Sequence, residues 1–279
     1  MMIDLLRHPR LSWLARAGLI AALAAFTFTA FAQYRQTSPL IELPDFVVEM
    51  TEEANVIPEL PDFESYGDTE TRKEAFFSYL TVYVETENQR IAETRTSLLP
   101  MWEVVRRGQR LSDVEYAEML DIAEEYRLDA AELSDRQVLA ELIKRVDVIP
   151  TSLVLAQAAN ESAWGMSRFA REGNNIFGQW CYDEGCGLVP NRRRENATHE
   201  VRAFSSVQAS VSAYFRNLNT NRSYEDMREM RAQMRAQSRS LDSMVLARGL
   251  TRYSERGMAY VHELQDIIRI NRLSALDKS

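Results

Sequence analysis

The sequence predicts a mainly α-helical protein that carries one small, irregular β-prone lobe. Three observations support this. Apolar residues recur every three or four positions from Thr69 onward. Capping boxes open helices at Ser112 and Ser134. The stretch from Gly173 to Phe204 then breaks the helical pattern with glycines, a proline and short β-prone runs. The 279 residues have room for one good domain with additional segments. Hydrophobic residues at 46% and charged ones at 27% lie in the ordinary globular range, so composition excludes little. The net charge of -8 argues against general nucleic-acid binding, because a phosphate backbone attracts clustered Lys and Arg.

At the N-terminus, Arg7, Arg10 and Arg16 precede an apolar stretch from Ala17 to Ala32 that ends in Ala30-Phe31-Ala32. A positive segment, an apolar segment and a small-x-small site before Gln33 are the order of a secretory signal. The apolar run is shorter than the roughly 20 residues of a comfortable membrane span, although Leu11 to Leu14 extend it. Residues 1–32 therefore read as a signal peptide or a signal anchor, the second giving membrane attachment through residues 11–32. No Cys follows the small residues, which argues against a lipoprotein anchor. Residues 33–68 read as an acidic connector in which Pro39, Pro44, Pro58 and Pro61 forbid a long helix.

From Thr69 the pattern turns helical, with Phe76, Phe77, Leu80, Tyr83 and Val84 marking one buried face. Ser112-Asp-Val-Glu115 opens a second helix whose apolar side is Tyr116, Met119, Leu120, Ile122 and Ala123. Ser134-Asp-Arg-Gln137 opens a third, ahead of Val138, Leu139, Leu142 and Ile143. Pro150 sits where a first helical turn tolerates it, and Leu153 to Ala163 continues helically to Gly165. Beyond the lobe, helices are predicted over 207–218, 224–237, 241–249 and 257–270. The expected division is a helical N-terminal region over 69–130 and the main domain over 131–279.

Chemistry concentrates in Ala156-Gln-Ala-Ala-Asn-Glu-Ser-Ala-Trp-Gly165. Its small residues allow close backbone approach, which predicts a central helix with Gln157, Asn160, Glu161 and Trp164 along one side. A lone Glu161 among alanines, near the negative end of a helix and beside a Trp, has reasons to hold its proton, as a general acid must. On spacing alone, a glutamate on an exposed helix face fits at least as well. Cys181 and Cys186, five positions apart in a Gly-rich segment, read as a small disulfide loop in an exported chain, with two reduced thiols as the alternative. A metal site would need more ligands, and His8, His199 and His262 are scattered, so no metal is expected. No motif points to a cofactor.

Residues 150 to 262 resemble the glucosaminidase domain of glycoside hydrolase family 73, and within it the Bax-type proteins of Gram-negative bacteria. The resemblance rests on ordered blocks: Gln157-Ala-Ala-Asn-Glu-Ser-Ala-Trp-Gly165, Asn174-Asn-Ile-Phe-Gly178, Trp180-Cys181 and Gly185-Cys-Gly-Leu-Val-Pro190. It continues with Thr198-His-Glu-Val201, Ala203-Phe-Ser-Ser206, Ser210-Val-Ser-Ala-Tyr214, Asn217-Leu-Asn219 and Gly249-Leu-Thr-Arg-Tyr253. The resemblance implies a lysozyme-like helical fold with a small β-lobe and peptidoglycan glycan strands as substrate, and the N-terminal export signal places the protein in the periplasm, with an inner-membrane anchor as the alternative. It implies that Glu161 protonates the glycosidic oxygen and that Glu200 is a second carboxylate on the lobe, with Glu195 as fallback and Asp183 or Glu184 weaker candidates. Trp164, Phe177, Trp180, Tyr214 and Tyr253 are candidates for stacking on sugar faces, each with packing in the core as the plain alternative. Asn174 and Asn175 either bind N-acetyl groups or shape a turn. Arg192-Arg193-Arg194 either meets anionic peptide stems or is solvated. Two rivals stay open: a lytic transglycosylase or muramidase on the same fold, and a non-catalytic wall-binding or regulatory protein.

Overall fold

The computed structural model describes residues 60–191, 193 and 198–277. The signal segment over 1–32, most of the acidic connector, Arg192, Arg194 and Glu195 lie outside the described residues.

Asp68 caps the first helix, α1 (Thr69–Arg106), by accepting from the Thr71 N–H at 2.9 Å and the Thr71 hydroxyl at 2.6 Å. At 1.5 Å per residue, α1 is roughly 57 Å long, and it contains Pro100 two turns before its end. The predicted stripe is buried: Phe76, Phe77, Leu80 and Val84, continued by Ile91 and Leu98. This face packs on three later helices, α3 (Asp135–Arg145), α4 (Thr151–Ser162) and α6 (Val207–Thr220). The hydrophobic core consequently runs unbroken from Phe63 to Leu273. The region 69–130 is therefore built into the same body as the rest, and α1 is its spine.

The end of the connector joins that body too. Leu60 to Asp68 includes a 3-10 turn, Phe63–Ser65, and Phe63 is 1% exposed. Its ring meets Phe76 edge-on at 5.4 Å and presses on Gly165, where a Cβ would stand 2.5 Å from the ring. Both capping boxes form. Glu115 returns to the Ser112 N–H at 2.8 Å at the start of α2 (Asp113–Glu125), and Gln137 returns to the Ser134 N–H at 3.0 Å at the start of α3. On α2 the buried stripe is Met119, Ile122 and Ala123, whereas Tyr116 and Leu120, expected on the same side, are exposed. Among the described residues no helix is long and apolar enough to cross a membrane.

The helix α4 is central, as its small residues predicted. Every residue from Thr151 to Ala159 is buried, enclosed by α1, α8 (Ser243–Leu246), α9 (Met258–Ile270) and the 3-10 turn Leu273–Leu276. Pro150, the N-cap, has no capping side chain. Asp277 substitutes from the far end of the sequence, taking the Ser152 N–H at 2.9 Å and its hydroxyl at 2.7 Å. The short helix α5 (Arg168–Gly173) then leads into the lobe. There β1 (Trp180–Cys181), β2 (Gly187–Leu188) and β3 (Glu200–Arg202) form an antiparallel sheet in the order β1-β3-β2. Cys181 pairs with Glu200 and Leu188 with Val201. The remaining helix, α7 (Glu225–Ala236), packs on α3 and on the 3-10 turn Ala247–Leu250.

Candidate active site

Glu161 is the penultimate residue of α4, and the helix stops immediately after it. Ala163, Trp164 and Gly165 have φ of 49°, 60° and 78°, three left-handed residues in succession, a conformation that costs non-glycine residues energy. The turn is tied by Ser162, whose hydroxyl donates to the Ala158 carbonyl at 2.7 Å and accepts the Gly165 N–H at 2.7 Å. One sequence expectation is corrected here. Trp164 does not share the face of Glu161, because the chain has left the helix before reaching it. Its ring packs edge-on against Phe76 and Phe77, 5.9 and 5.3 Å away, with Lys73 Nζ 5.6 Å from its centroid.

The wall beside Glu161 comes instead from the Asn174–Gly178 loop and from α9. Gly178 (φ 64°) lies so close that a Cβ there would be 3.8 Å from Glu161 Oε2. Asn175 is fully buried and shapes this loop: Oδ1 accepts the Gln179 N–H at 3.0 Å, and Nδ2 donates to the Gln179 and Arg202 carbonyls at 2.8 and 2.7 Å. Asn174, left-handed at the end of α5, donates to the Phe204 carbonyl at 3.1 Å. Both asparagines thus take the turn-shaping role rather than displaying their amides to a ligand.

The Tyr260 hydroxyl stands beside the Glu161 carboxyl and favours its charged form, and Asn160 Nδ2 donates to Oε1 at 3.5 Å. Burial pushes it above the ordinary carboxylate range. The bonds from Tyr260 and Asn160 and the nearby Arg256 pull the other way without cancelling the rise, to which Glu263 adds. The negative end of α4 acts in the same direction as burial. The result is a carboxyl biased toward its protonated form beside the Gly178 backbone, the property that acid catalysis requires. A cleft of about 270 Å³ lined by Asn88, Ile149, Thr151, Arg235 and Leu241 sits at the other end of α4. It lies roughly 15 Å along the helix from Glu161 and is not part of this site.

The remaining candidates divide by exposure. Phe177 and Tyr214 are buried and stacked on each other at 3.9 Å. Neither ring offers a face to a sugar, so the expectation that they stack on substrate is corrected to a packing role. Tyr253 lies beneath the acid: its hydroxyl donates to the Phe177 carbonyl at 3.1 Å, and its ring is parallel to Tyr260 at 5.6 Å. Trp180 is the opposite case. It is 57% exposed two residues past Gly178, with His199 stacked on it at 4.3 Å and Tyr182 exposed alongside.

Cys181 and Cys186 form a disulfide. Glu200, 6% exposed, points under the loop they close: Oε1 accepts the Gly185 N–H at 3.2 Å and Oε2 the Gly187 N–H at 2.7 Å. The two sulfurs and this carboxylate lie within 4.8 Å of one another, but the sulfurs are bonded together and both oxygens hold loop N–H groups. The trio clamps the loop, with Glu200 buried and each of its oxygens accepting one loop N–H. Asp183 and Glu184 are exposed in the same loop.

Sequence reasoning missed Tyr260. It lies 99 positions from Glu161 on a helix whose periodicity identified only a core face. Gln157 was placed on the correct side of α4, but nothing local showed what it would bond.

The mainly helical body with its small antiparallel lobe, and the buried carboxyl at the end of its central helix, fit a lysozyme-like domain, and the chain belongs to the glucosaminidase family. Residues 136–273 match the family model described as glucosaminidase, mannosyl-glycoprotein endo-beta-N-acetylglucosaminidase. Among the relatives is Protein bax of Escherichia coli (strain K12), 35% identical over 202 residues, which are 72% of this chain and 70% of that protein. No solved structure matches the chain.

Proposed function

We propose that the protein is a periplasmic endo-β-N-acetylglucosaminidase that hydrolyses β-1,4 bonds in peptidoglycan glycan strands, with Glu161 as the general acid. The observation that carries this reading is the Glu161 carboxyl itself, raised by burial, at a helix end beside the Gly178 backbone. The family's description concerns glycoprotein sugars. The secretory-type N-terminus and the disulfide, which persists in oxidising compartments, favour a substrate outside the cytoplasm.

In the proposed reaction Glu161 donates its proton to the glycosidic oxygen as the C1–O bond breaks and positive charge develops at C1 and the ring oxygen. Glu200 is buried and bonded to its own loop, which favours a route in which the opposite face of the sugar is served by the substrate's own 2-acetamido oxygen, which bonds to C1. Water then opens this intermediate, and the Glu161 carboxylate recovers a proton from it. Trp180 supplies an exposed aromatic plane for the C–H face of a flanking sugar. Trp180→Ala is therefore expected to raise KM on soluble muro-oligosaccharides by roughly 2- to 12-fold, the equivalent of an aromatic contact of about 0.5–1.5 kcal/mol. kcat should be nearly unchanged; a fall in kcat at constant KM would remove Trp180 from substrate binding.

Mass analysis of fragments from purified peptidoglycan tests the function directly. Reducing N-acetylglucosamine ends are expected. Reducing N-acetylmuramic acid ends would make the enzyme a muramidase, and anhydro ends a lytic transglycosylase.

A further inference from the structure

Three fully buried side chains stand behind Glu161: Tyr214 on α6, Gln157 on α4 and Tyr260 on α9. The Tyr214 hydroxyl donates to Gln157 Oε1 at 2.5 Å, and Gln157 Nε2 donates to the Tyr260 hydroxyl oxygen at 2.9 Å. A carboxamide has one end that only accepts and one that only donates. Once Tyr214 fills the accepting end, Gln157 must donate to Tyr260, and the proton of Tyr260 is left to point at Glu161. Turning the amide over would reverse the string: Tyr260 would donate to Gln157 and have no proton for the carboxylate.

We infer that Tyr214, Gln157 and Tyr260 form a one-way hydrogen-bond string that fixes the Glu161 side chain and receives the charge it acquires on giving up its proton. The three are positioning residues acting in series, with Tyr260 the member beside the reacting carboxyl. In a water-poor interior each donor polarises the next, so the string is a better anion partner than an isolated phenol. It also explains why a polar amide occupies the middle of an otherwise apolar, small-residue helix. An unpartnered Gln157 there would be costly; between two tyrosines it has both ends satisfied.

The string resists titration itself. Burial pushes the Tyr214, Tyr253 and Tyr260 hydroxyls far above the ordinary phenol range and raises Tyr224 as well, so all four remain neutral near pH 7. The other charged groups facing Glu161 are Arg256 and Glu263, which are paired with each other at 2.5 Å. Glu161 is thus the group whose charge changes when substrate is protonated.

This inference rests on the acid role proposed for Glu161, but its test does not need hydrolysis. The carboxyl carbon of Glu161 is followed by NMR in protein labelled with [13C]glutamate, its signal identified by its loss in Glu161→Gln. Tyr260→Phe is expected to raise the proton affinity of Glu161 by roughly tenfold or more, the worth of a hydrogen bond to a charged group. Gln157→Met should cause a smaller rise, and Tyr214→Phe, two bonds away, the smallest. In the active enzyme the alkaline limb of kcat/KM should move to higher pH in the same order, with kcat reduced at the optimum. Unchanged or lowered proton affinity in Tyr260→Phe would overturn the string, as would equal shifts in all three variants, which signal general loosening. Should the NMR order hold while the wild-type protein does not hydrolyse peptidoglycan, the string stands and the proposed function falls.

Discussion

Glu161→Gln is expected to reduce kcat on peptidoglycan by about a thousandfold, within the 10²–10⁴-fold typical of losing a general acid. The amide has nearly the shape of the carboxyl, keeps an oxygen for the Tyr260 hydroxyl and cannot give up a proton at useful pH. The loss should therefore fall on kcat with KM little changed. Peptidoglycan-gel clearing decides between readings. Equal clearing by wild type and variant removes Glu161 from catalysis; no clearing by either favours a binding protein. Stability supplies an independent check with a definite sign. The folded-state affinity of Glu161 for its proton is raised by burial, with Tyr260, Asn160 and Arg256 opposing incompletely. Ionising it therefore destabilises the fold. The penalty is absent below the unfolded carboxyl value of about 4.3 and grows as pH rises through the folded value. Glu161→Gln escapes it, so the variant should melt higher than wild type near pH 8 and equally at pH 4. Lower melting at pH 8 would mean that the native carboxylate is stabilised by its surroundings, contrary to an acid's requirement.

Much of this site was legible because helix signals are local. The alanines of 156–163 predicted a central helix, the two capping boxes fixed the starts of α2 and α3, and an acid among small apolar residues marked Glu161. The failures have a common physical origin in long-range packing. Helical spacing put Trp164 beside Glu161, but three left-handed residues redirect it onto α1, and nothing local required that stop. Phe63 sits in an acidic, proline-punctuated stretch that reads as a spacer, yet its ring fills the space that Gly165 leaves open. Glu200 was correctly placed in the lobe, but its oxygens are claimed by the N–H groups of Gly185 and Gly187, a geometry that exists only once the disulfide loop is closed. Stacking candidates could not be separated by type: Tyr214 and Trp180 are both aromatics in matching blocks, and only burial assigns one to the core and the other to solvent.

The largest stability effect is expected away from the acid, at Asp147, where α3 hands the chain to α4. Two arginines clasp the end of α3. Arg231 donates to the carbonyls of Lys144, Arg145, Asp147 and Val148 at 2.8 to 3.3 Å, and Arg95 donates to those of Ile143 and Val146. Ile143, Lys144 and Arg145 belong to the last turn of the helix, where carbonyls lack helical partners, and Val146, Asp147 and Val148 lie just beyond it. Burial lowers Arg231 to about 10, so it remains cationic at neutral pH. Asp147, 2% exposed, balances this charge: Arg235 grips both oxygens at 3.1 and 2.9 Å, Arg95 lies 3.7 Å away and Arg231 4.0 Å. Burial alone would raise the Asp147 carboxyl, but Arg231, Arg235 and Arg95 together outweigh it and hold it below the ordinary range. Asp147→Asn strands three guanidiniums around a neutral amide, and breaking such a buried group costs about 3–5 kcal/mol. At about 2–4 °C per kcal/mol for a body of this size, melting should fall by roughly 10 °C or somewhat more. The sign with pH is opposite to that of Glu161. The contribution of Asp147 is fully present above the unfolded value of about 3.9 and is lost as pH falls through its depressed folded value. The gap between wild type and Asp147→Asn should be wide in urea melts at pH 7 and close toward pH 2. The double variant Asp147→Leu with Arg231→Met, which removes charge from both sides, should recover part of the loss. A double variant as unstable as the sum of its single variants would mean that Asp147 and Arg231 act independently, and that the α3 clasp does not depend on the buried carboxylate.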